Sequence, residues 1–271
     1  MKVEDVKVCV LLMEGTNCEE ESYLSFSRLG AKPEKVHINQ LVSGEKKLRD
    51  YHLLFFPGGF SSGDYIRAGA IFAARLKSKF QDEIRDFVAD GYPVLGICNG
   101  FQVLVEVGLL PGFEHIMSPE PEAVLTNNDS NKFECRPSLL KHENGGKCVF
   151  TKNIPKGKVL TIPSAHAEGK FLLPLDKQKE LLDKLIEQDQ IVFRYVDPDG
   201  NYAGYPWNPN GSIYNIAGIC NRQGNVLGMM PHPERVFYGW THPDWTRKGL
   251  EEEGDGRAMF KSVLEYLTEK F

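Results

Sequence analysis

The sequence predicts an α/β fold: an open, mostly parallel sheet flanked by helices, with short strands added to it. Three observations predict it. Short apolar runs at residues 6–13, 53–56 and 94–97 show no polar alternation, as strands buried on both faces do. Segments with a helical period lie between such runs. Two of the runs end in glycine-rich turns, Pro57-Gly58-Gly59 and Gly96-Ile97-Cys98-Asn99-Gly100. Those turns fall at the carboxyl edge, where open sheets of this class gather their ligands.

Taken in order, residues 6–13 form the first strand and Gly15-Thr16 turns the chain. Asn17, with Glu20 three residues on, predicts a capping box that opens a helix through Leu29, and Gly30 stops it. Residues 35–38 are a weak second strand and 53–56 a stronger third. Phe80, Ile84, Phe87 and Val88 share one helical face, and Asp90-Gly91-Tyr92-Pro93 ends that helix. After the strand at 94–97, residues 101–107 are apolar all round, which predicts a helix covered on most sides.

Residues 118–215 are richer in turns, such as Asn127-Asn128-Asp129-Ser130-Asn131 and Asn208-Pro209-Asn210-Gly211. Strand-like pieces at 159–162 and 191–195 and a helix at 176–188 interrupt them. These pieces are too short to enclose a second core. The whole of 1–271 therefore reads as one domain, with 118–215 a turn-rich extension within it. Residues 213–219 and 226–230 read as paired strands. Met259, Phe260, Val263, Leu264 and Leu267 mark an amphipathic C-terminal helix.

Composition removes several classes of function. A net charge of -5 with no dense Lys/Arg block argues against a nucleic-acid binder. No apolar stretch reaches the length of a membrane span, and the N-terminal residues carry no signal-peptide pattern. The six cysteines are scattered, with no C-x-x-C pair and no paired His/Cys spacing. That predicts neither a metal site nor a disulfide framework, and points to the reducing cytoplasm.

The chemistry centres on Gly96-Ile97-Cys98-Asn99-Gly100, a strand–turn–helix nucleophile elbow with cysteine in place of serine. A thiol there sits at a helix N-terminus, where the dipole and free N–H groups favour the thiolate. Alone, the pattern also fits a buried structural cysteine; the flanking glycines favour the nucleophile. Pro231-His232-Pro233-Glu234 supplies a base and a carboxylate to orient it. The prolines predict extended chain, in which residues two apart share a side. Acyl transfer also needs donors for the oxyanion. The Asn99 N–H follows the nucleophile, and Gly58-Gly59 ends a neighbouring strand. Residues 58–63 lack the Gly-Lys-Ser/Thr ending of a phosphate loop.

The segments Pro57-Gly58-Gly59-Phe60-Ser61, Gly96-Ile97-Cys98-Asn99-Gly100-Phe101-Gln102 and Pro231-His232-Pro233-Glu234-Arg235 together resemble the class I (triad-type) glutamine amidotransferases. Residues 127–136, Ala165-His166-Ala167-Glu168-Gly169, Asn208-Pro209-Asn210-Gly211-Ser212 and 224–235 narrow the resemblance. They are similar to the glutaminase component of phosphoribosylformylglycinamidine synthases, in purine (IMP) biosynthesis. The resemblance spans residues 6–268. It implies a flavodoxin-like sheet and a catalytic triad of Cys98, His232 and Glu234. It also implies oxyanion donors at Gly59 and Asn99, and a glutamine site touched by Gln102 and Phe60. L-Glutamine would form a thioester on Cys98, and the ammonia would pass to a large synthetase subunit, often through a complex with a small bridging subunit. No metal or cofactor is implied on this chain; ATP and Mg are expected on the synthetase.

The family pattern His-Gly-Glu-Gly reads His166-Ala167-Glu168-Gly169 here. That leaves His166 and Glu168 open between loop packing or partner contact and a role near glutamine. The Trp240 to Trp245 loop is open between partner contact and a lid over the core. Two other readings compete: a glutaminase serving a different synthetase, and a cysteine hydrolase or peptidase on a related fold.

Overall fold

A computed structural model describes residues 1–271, the side chain of Lys248 excepted. The first half alternates strands and helices: β1 (Lys7–Leu12), α1 (Glu19–Ser27), β2 (Lys32–His37), α2 (Ile38–Val42), β3 (Leu53–Phe56), α3 (Ala70–Ala89), β4 (Val94–Ile97) and α4 (Asn99–Glu106). Then come β5 (Val124–Thr126), β6 (Glu134–His142), β7 (Val159–His166), β8 (Lys170–Leu172), α5 (Gln178–Glu187) and β9 (Ile191–Val196). The chain ends with β10 (Ile216–Cys220), β11 (Val226–Met229), α6 (Trp245–Lys248) and α7 (Arg257–Lys270).

One nine-stranded sheet carries the order β2-β1-β3-β4-β11-β10-β9-β6-β7, and β5 pairs with β8 separately. The first five strands in that order run parallel, and every pairing from β11 to β7 is antiparallel. β3, β4 and β11 are buried in every residue, which is why their sequences are apolar without alternation. Strands β6, β7 and β9 extend the main sheet rather than forming a sheet of their own. On the flanks, Phe26 of α1 and Phe260 of α7 meet edge-on, with ring centroids 5.2 Å apart. No helix among the described residues is long and apolar enough to cross a membrane.

The structure departs from the sequence reading at several places. The predicted capping box at Asn17 does not form: Cys18 is the N-cap of α1, without a side-chain cap bond. The N–H groups of Asn17 and Cys18 donate instead to Gly58 O, at 3.3 and 3.2 Å. β2 starts at Lys32 and ends before Ile38, which opens α2. α3 begins at Ala70, ten residues ahead of the first periodic position read from sequence, because Phe72, Ala73 and Leu76 continue its buried face. Residues 213–215 form a 3₁₀ turn ahead of β10.

The sheet order places the chemistry. β3, β4 and β11 are adjacent and parallel, with Phe56 opposite Gly96 and Met229 opposite Ile97. Gly58-Gly59, Cys98 and His232 therefore leave the same sheet edge from three neighbouring strands.

Candidate active site

Cys98 directly follows β4 and caps α4 with φ 53° and ψ −108°, a left-handed φ that a non-glycine residue adopts only under constraint. Close approach enforces it. A Cβ on Gly100 would lie 1.9 Å from Phe56 O, so only glycine lets α4 begin directly against β3. The thiol is 7% exposed and donates to Ala165 O at 3.6 Å.

His232 follows β11, and its N–H donates to Pro163 O at 2.8 Å. Its Nδ1 lies 2.6 Å from Glu234 Oε1, and both side chains are buried. The pairing differs in one respect from the extended chain predicted by the two prolines. His232 is extended, but Pro233 starts a 3₁₀ turn, Pro233–Val236, that carries Glu234 back to the imidazole. Proline's fixed φ suits the first position of such a turn. Burial alone would make the imidazole less basic, but the Glu234 carboxylate and the Cys98 and Cys18 sulfurs outweigh it and raise its pKa well above the ordinary value. With Nδ1 engaged by Glu234, Nε2 is buried without a hydrogen-bond partner.

Gly58 adds space between these groups. A Cβ there would lie 2.8 Å from His232 Cε1, 3.1 Å from Cys18 Sγ and 3.4 Å from Cys98 Cβ. Gly59 follows with φ +145°. Among the described residues, neither the Gly59 N–H nor the Asn99 N–H donates a hydrogen bond, so both are free to meet an oxyanion. The Asn99 side chain is a strut: Oδ1 accepts from Ser61 N at 3.2 Å, and Nδ2 donates to Asp64 Oδ1 at 3.1 Å and Gln102 Oε1 at 3.0 Å. Gln102 in turn donates through Nε2 to Glu168 O. Its carboxamide keeps one N–H and one lone pair for a ligand. Phe60 is half-exposed, with its ring centroid 6.5 Å from that of Phe133.

Several neighbours were not singled out by sequence. Asp64 sits at φ 52° beside Asn99; burial, with Glu168 adding to it, pushes its carboxyl up to about 6. Cys18 lies against His232, and Arg235 Nη2 donates to its sulfur at 3.1 Å. Cys18, His232 and Glu234 each offer a metal-ligating atom, all within 4.8 Å of one another. No sequence spacing signals that cluster, because residue 18 reaches residue 232 only through the fold.

His166 is buried, with Nδ1 3.2 Å from Asn128 Oδ1, and burial pushes it down to about 3 with His232 adding to the effect. Asn128 also donates to His166 O at 2.8 Å. Glu168 accepts from Ala68 N at 3.2 Å. Both residues thus hold the loop against the cysteine and Gln102. Ala167 has no positive φ, so alanine is accommodated there without backbone strain. Trp240 stacks on Tyr238 at 4.3 Å, and Trp240 and Trp245 stay 51% and 44% exposed, so neither closes the core.

Residues 5–267 match the model of the CobB/CobQ-like glutamine amidotransferase domain. A phosphoribosylformylglycinamidine synthase subunit PurQ from Archaeoglobus fulgidus is 55% identical over 98% of this chain and 99% of its own. The subunit of the same name from Picrophilus torridus is 48% identical over 96% and 98%. Among solved structures, a chain of PurLQS from Thermotoga maritima superposes with a TM-score of 0.73 at 34% identity, covering 97% of this chain and 99% of that one. A glutamine amidotransferase from the same organism shares the fold, with a TM-score of 0.57 at 18% identity. With a cysteine at the elbow of β4 and an imidazole–carboxylate pair beyond β11, the chain belongs to the CobB/CobQ-like glutamine amidotransferase family and is a class I glutamine amidotransferase.

Proposed function

We propose that this chain is the glutaminase subunit of a phosphoribosylformylglycinamidine synthase, hydrolysing L-glutamine on Cys98 and delivering ammonia to a synthetase subunit. The observation that supports this most is the 55% identity to a subunit of that synthase, carried over nearly the full length of both chains. ATP and Mg are assigned to the synthetase, with a small subunit bridging the two, and the complex is cytoplasmic. Nucleic acid and membrane play no part. Residues 1–271 act as one domain.

The mechanism follows from the side chains. His232 Nε2 takes the Cys98 proton, and the sulfur attacks the side-chain amide carbon of glutamine. The negative oxygen that forms is met by the N–H groups of Gly59 and Asn99. Such a donor typically contributes about 3–4 kcal/mol to the transition state. The C–N bond breaks as His232 returns its proton to the leaving nitrogen, releasing ammonia. Water then attacks the thioester with His232 as base, the C–S bond breaks, and glutamate leaves with the thiol reprotonated. Glu234 holds Nδ1–H throughout and stabilises the imidazolium. Gln102 and Phe60 flank the bound glutamine.

Cys98→Ala in the assembled complex is expected to abolish glutamine-dependent synthesis and to spare synthesis fed with ammonia. Equal loss with both nitrogen sources would refute the assignment.

A further inference from the structure

Glu234 shares its buried carboxylate unevenly. Oε1 lies 2.6 Å from His232 Nδ1, while Oε2 is buried without a hydrogen-bond partner among the described residues. A carboxylate oxygen left bare inside a protein is costly. The cation suited to cover it stands next in the chain, because the Arg235 guanidinium is a planar fork matched to a carboxylate. Burial works against the Arg235 charge, and the Cys18 sulfur, Glu234 and Glu21 together outweigh it, so the carboxylate is within electrostatic reach.

Arg235 nevertheless turns its fork elsewhere. Nη2 donates to Cys18 Sγ at 3.1 Å, and Nε lies 3.7 Å from Glu21 Oε1. Sulfur is a weak acceptor, so the guanidinium rests on the poorer partner while the better one stays bare. Both anchors belong to one element: Cys18 is the N-cap of α1 and Glu21 lies in its first turn. That element is moored to the site by the Asn17 and Cys18 N–H groups, which donate to Gly58 O at 3.3 and 3.2 Å. Cys18 Sγ, a His232 ring nitrogen and a Glu234 oxygen all lie within 4.8 Å of one another. The buried sulfur therefore stands beside the imidazole–carboxylate pair, with the cation held on it.

The arrangement protects charge. Glu234 supports the reaction by stabilising the imidazolium that forms when His232 takes the Cys98 proton. A guanidinium closed onto Oε2 would offset the negative charge and leave His232 a weaker base.

We propose that Cys18 is a positioning residue for glutamine hydrolysis: its sulfur parks the Arg235 guanidinium off Glu234, so that the carboxylate's charge is committed to His232. This deepens the glutaminase reading and rests on it. Cys18 itself touches no reacting atom; it acts through Arg235 and Glu234.

Cys18→Ala frees Arg235 to close on Glu234 Oε2. In the assembled complex, kcat with glutamine should fall about 10- to 100-fold with KM little changed, a smaller loss than removing the Glu234 charge outright. The double variant Cys18→Ala/Arg235→Ala has no cation to close and should recover most of that loss. Cys18→Ser keeps an acceptor for Arg235 and should also recover most of it. Cys18→Val fills the space but offers no acceptor; it carries the same expectation as alanine and keeps the test decisive if the alanine variant does not fold. Proton resonance of the full chain carrying isotope-labelled histidine reads the pair directly. The His232 Nδ1–H signal should move upfield in Cys18→Ala and return in the double variant. Parent-like kcat in both Cys18→Ala and Cys18→Val, a double variant no better than the single, or an Nδ1–H signal that stays fixed overturns the role. Failure of the glutaminase reading would look different: the parent complex itself would not hydrolyse glutamine.

Discussion

Gly58→Ala isolates the geometry between base and nucleophile. Gly58 has an ordinary φ, so alanine brings no backbone strain; the whole effect comes from one methyl group. Its Cβ would lie 2.8 Å from His232 Cε1, whereas ordinary contact begins at 3.4 Å. The ring must therefore move by roughly 0.6 Å. It cannot swing away freely, because Glu234 holds Nδ1 at 2.6 Å and the backbone N–H is tied to Pro163 O. Displacements near 1 Å cost about 100-fold in rate, so turnover should fall about 10- to 100-fold with KM for glutamine little changed. Overpacking of this size costs about 1–3 kcal/mol in stability, which a urea melt reads separately. The assay is glutamine hydrolysis in the assembled complex, alongside the rate of Cys98 labelling. A folded variant with wild-type turnover would show that position 58 does not set the His232–Cys98 geometry.

Other perturbations separate the remaining parts. Glu234→Gln keeps the shape but removes the charge that raises His232, and should lower turnover about 100- to 10,000-fold. The limb of the pH–rate profile that tracks His232 should shift to lower pH; an unmoved limb would mean that Glu234 does not tune the imidazole. Asp64→Asn tests the raised carboxyl. An acid lifted from 3.8 to about 6 holds its proton more tightly when folded, so its stabilising contribution is complete below pH 3.8 and is lost as pH rises through 6. Two units amount to about 3 kcal/mol, discounted to about 1–2 for a half-exposed group. The variant should gain that much over the parent at pH 8 and nothing at pH 3.5, by urea melts at the two values. Asparagine tolerates the left-handed φ and still accepts from Asn99, so a gain equal at both pH values would point away from ionisation.

The parts of the site legible in the sequence were those the chain makes locally. Glycines on either side of Cys98 are a backbone requirement, visible without knowing what packs around them. The His232–Glu234 pair was equally visible, because two residues cannot separate far. What was not legible comes from contacts across the fold. Cys18 reaches the site only because the N–H groups of Asn17 and Cys18 dock on Gly58 O, which also replaces the expected capping box. Asp64 titrates high through burial beside Glu168, a residue about a hundred positions away. β6 is not among the strand-like pieces read from the sequence. The strand accommodates Pro137 opposite Pro163 of β7, and on its other side β9 begins pairing only at Leu139.

The strand farthest from the parallel half touches the catalytic groups. β7 lies at the open margin of the sheet, five places from β4, yet Pro163 and Ala165 accept from His232 N–H and the Cys98 thiol. The sheet must curl until its loose border comes to rest against its middle. A free border is where a sheet ordinarily frays first, and here fraying would strip the wall from the thiol and the tether from the imidazole together. The catalytic groups act as the clasp of the curl, so breathing of that border and loss of the site are a single event.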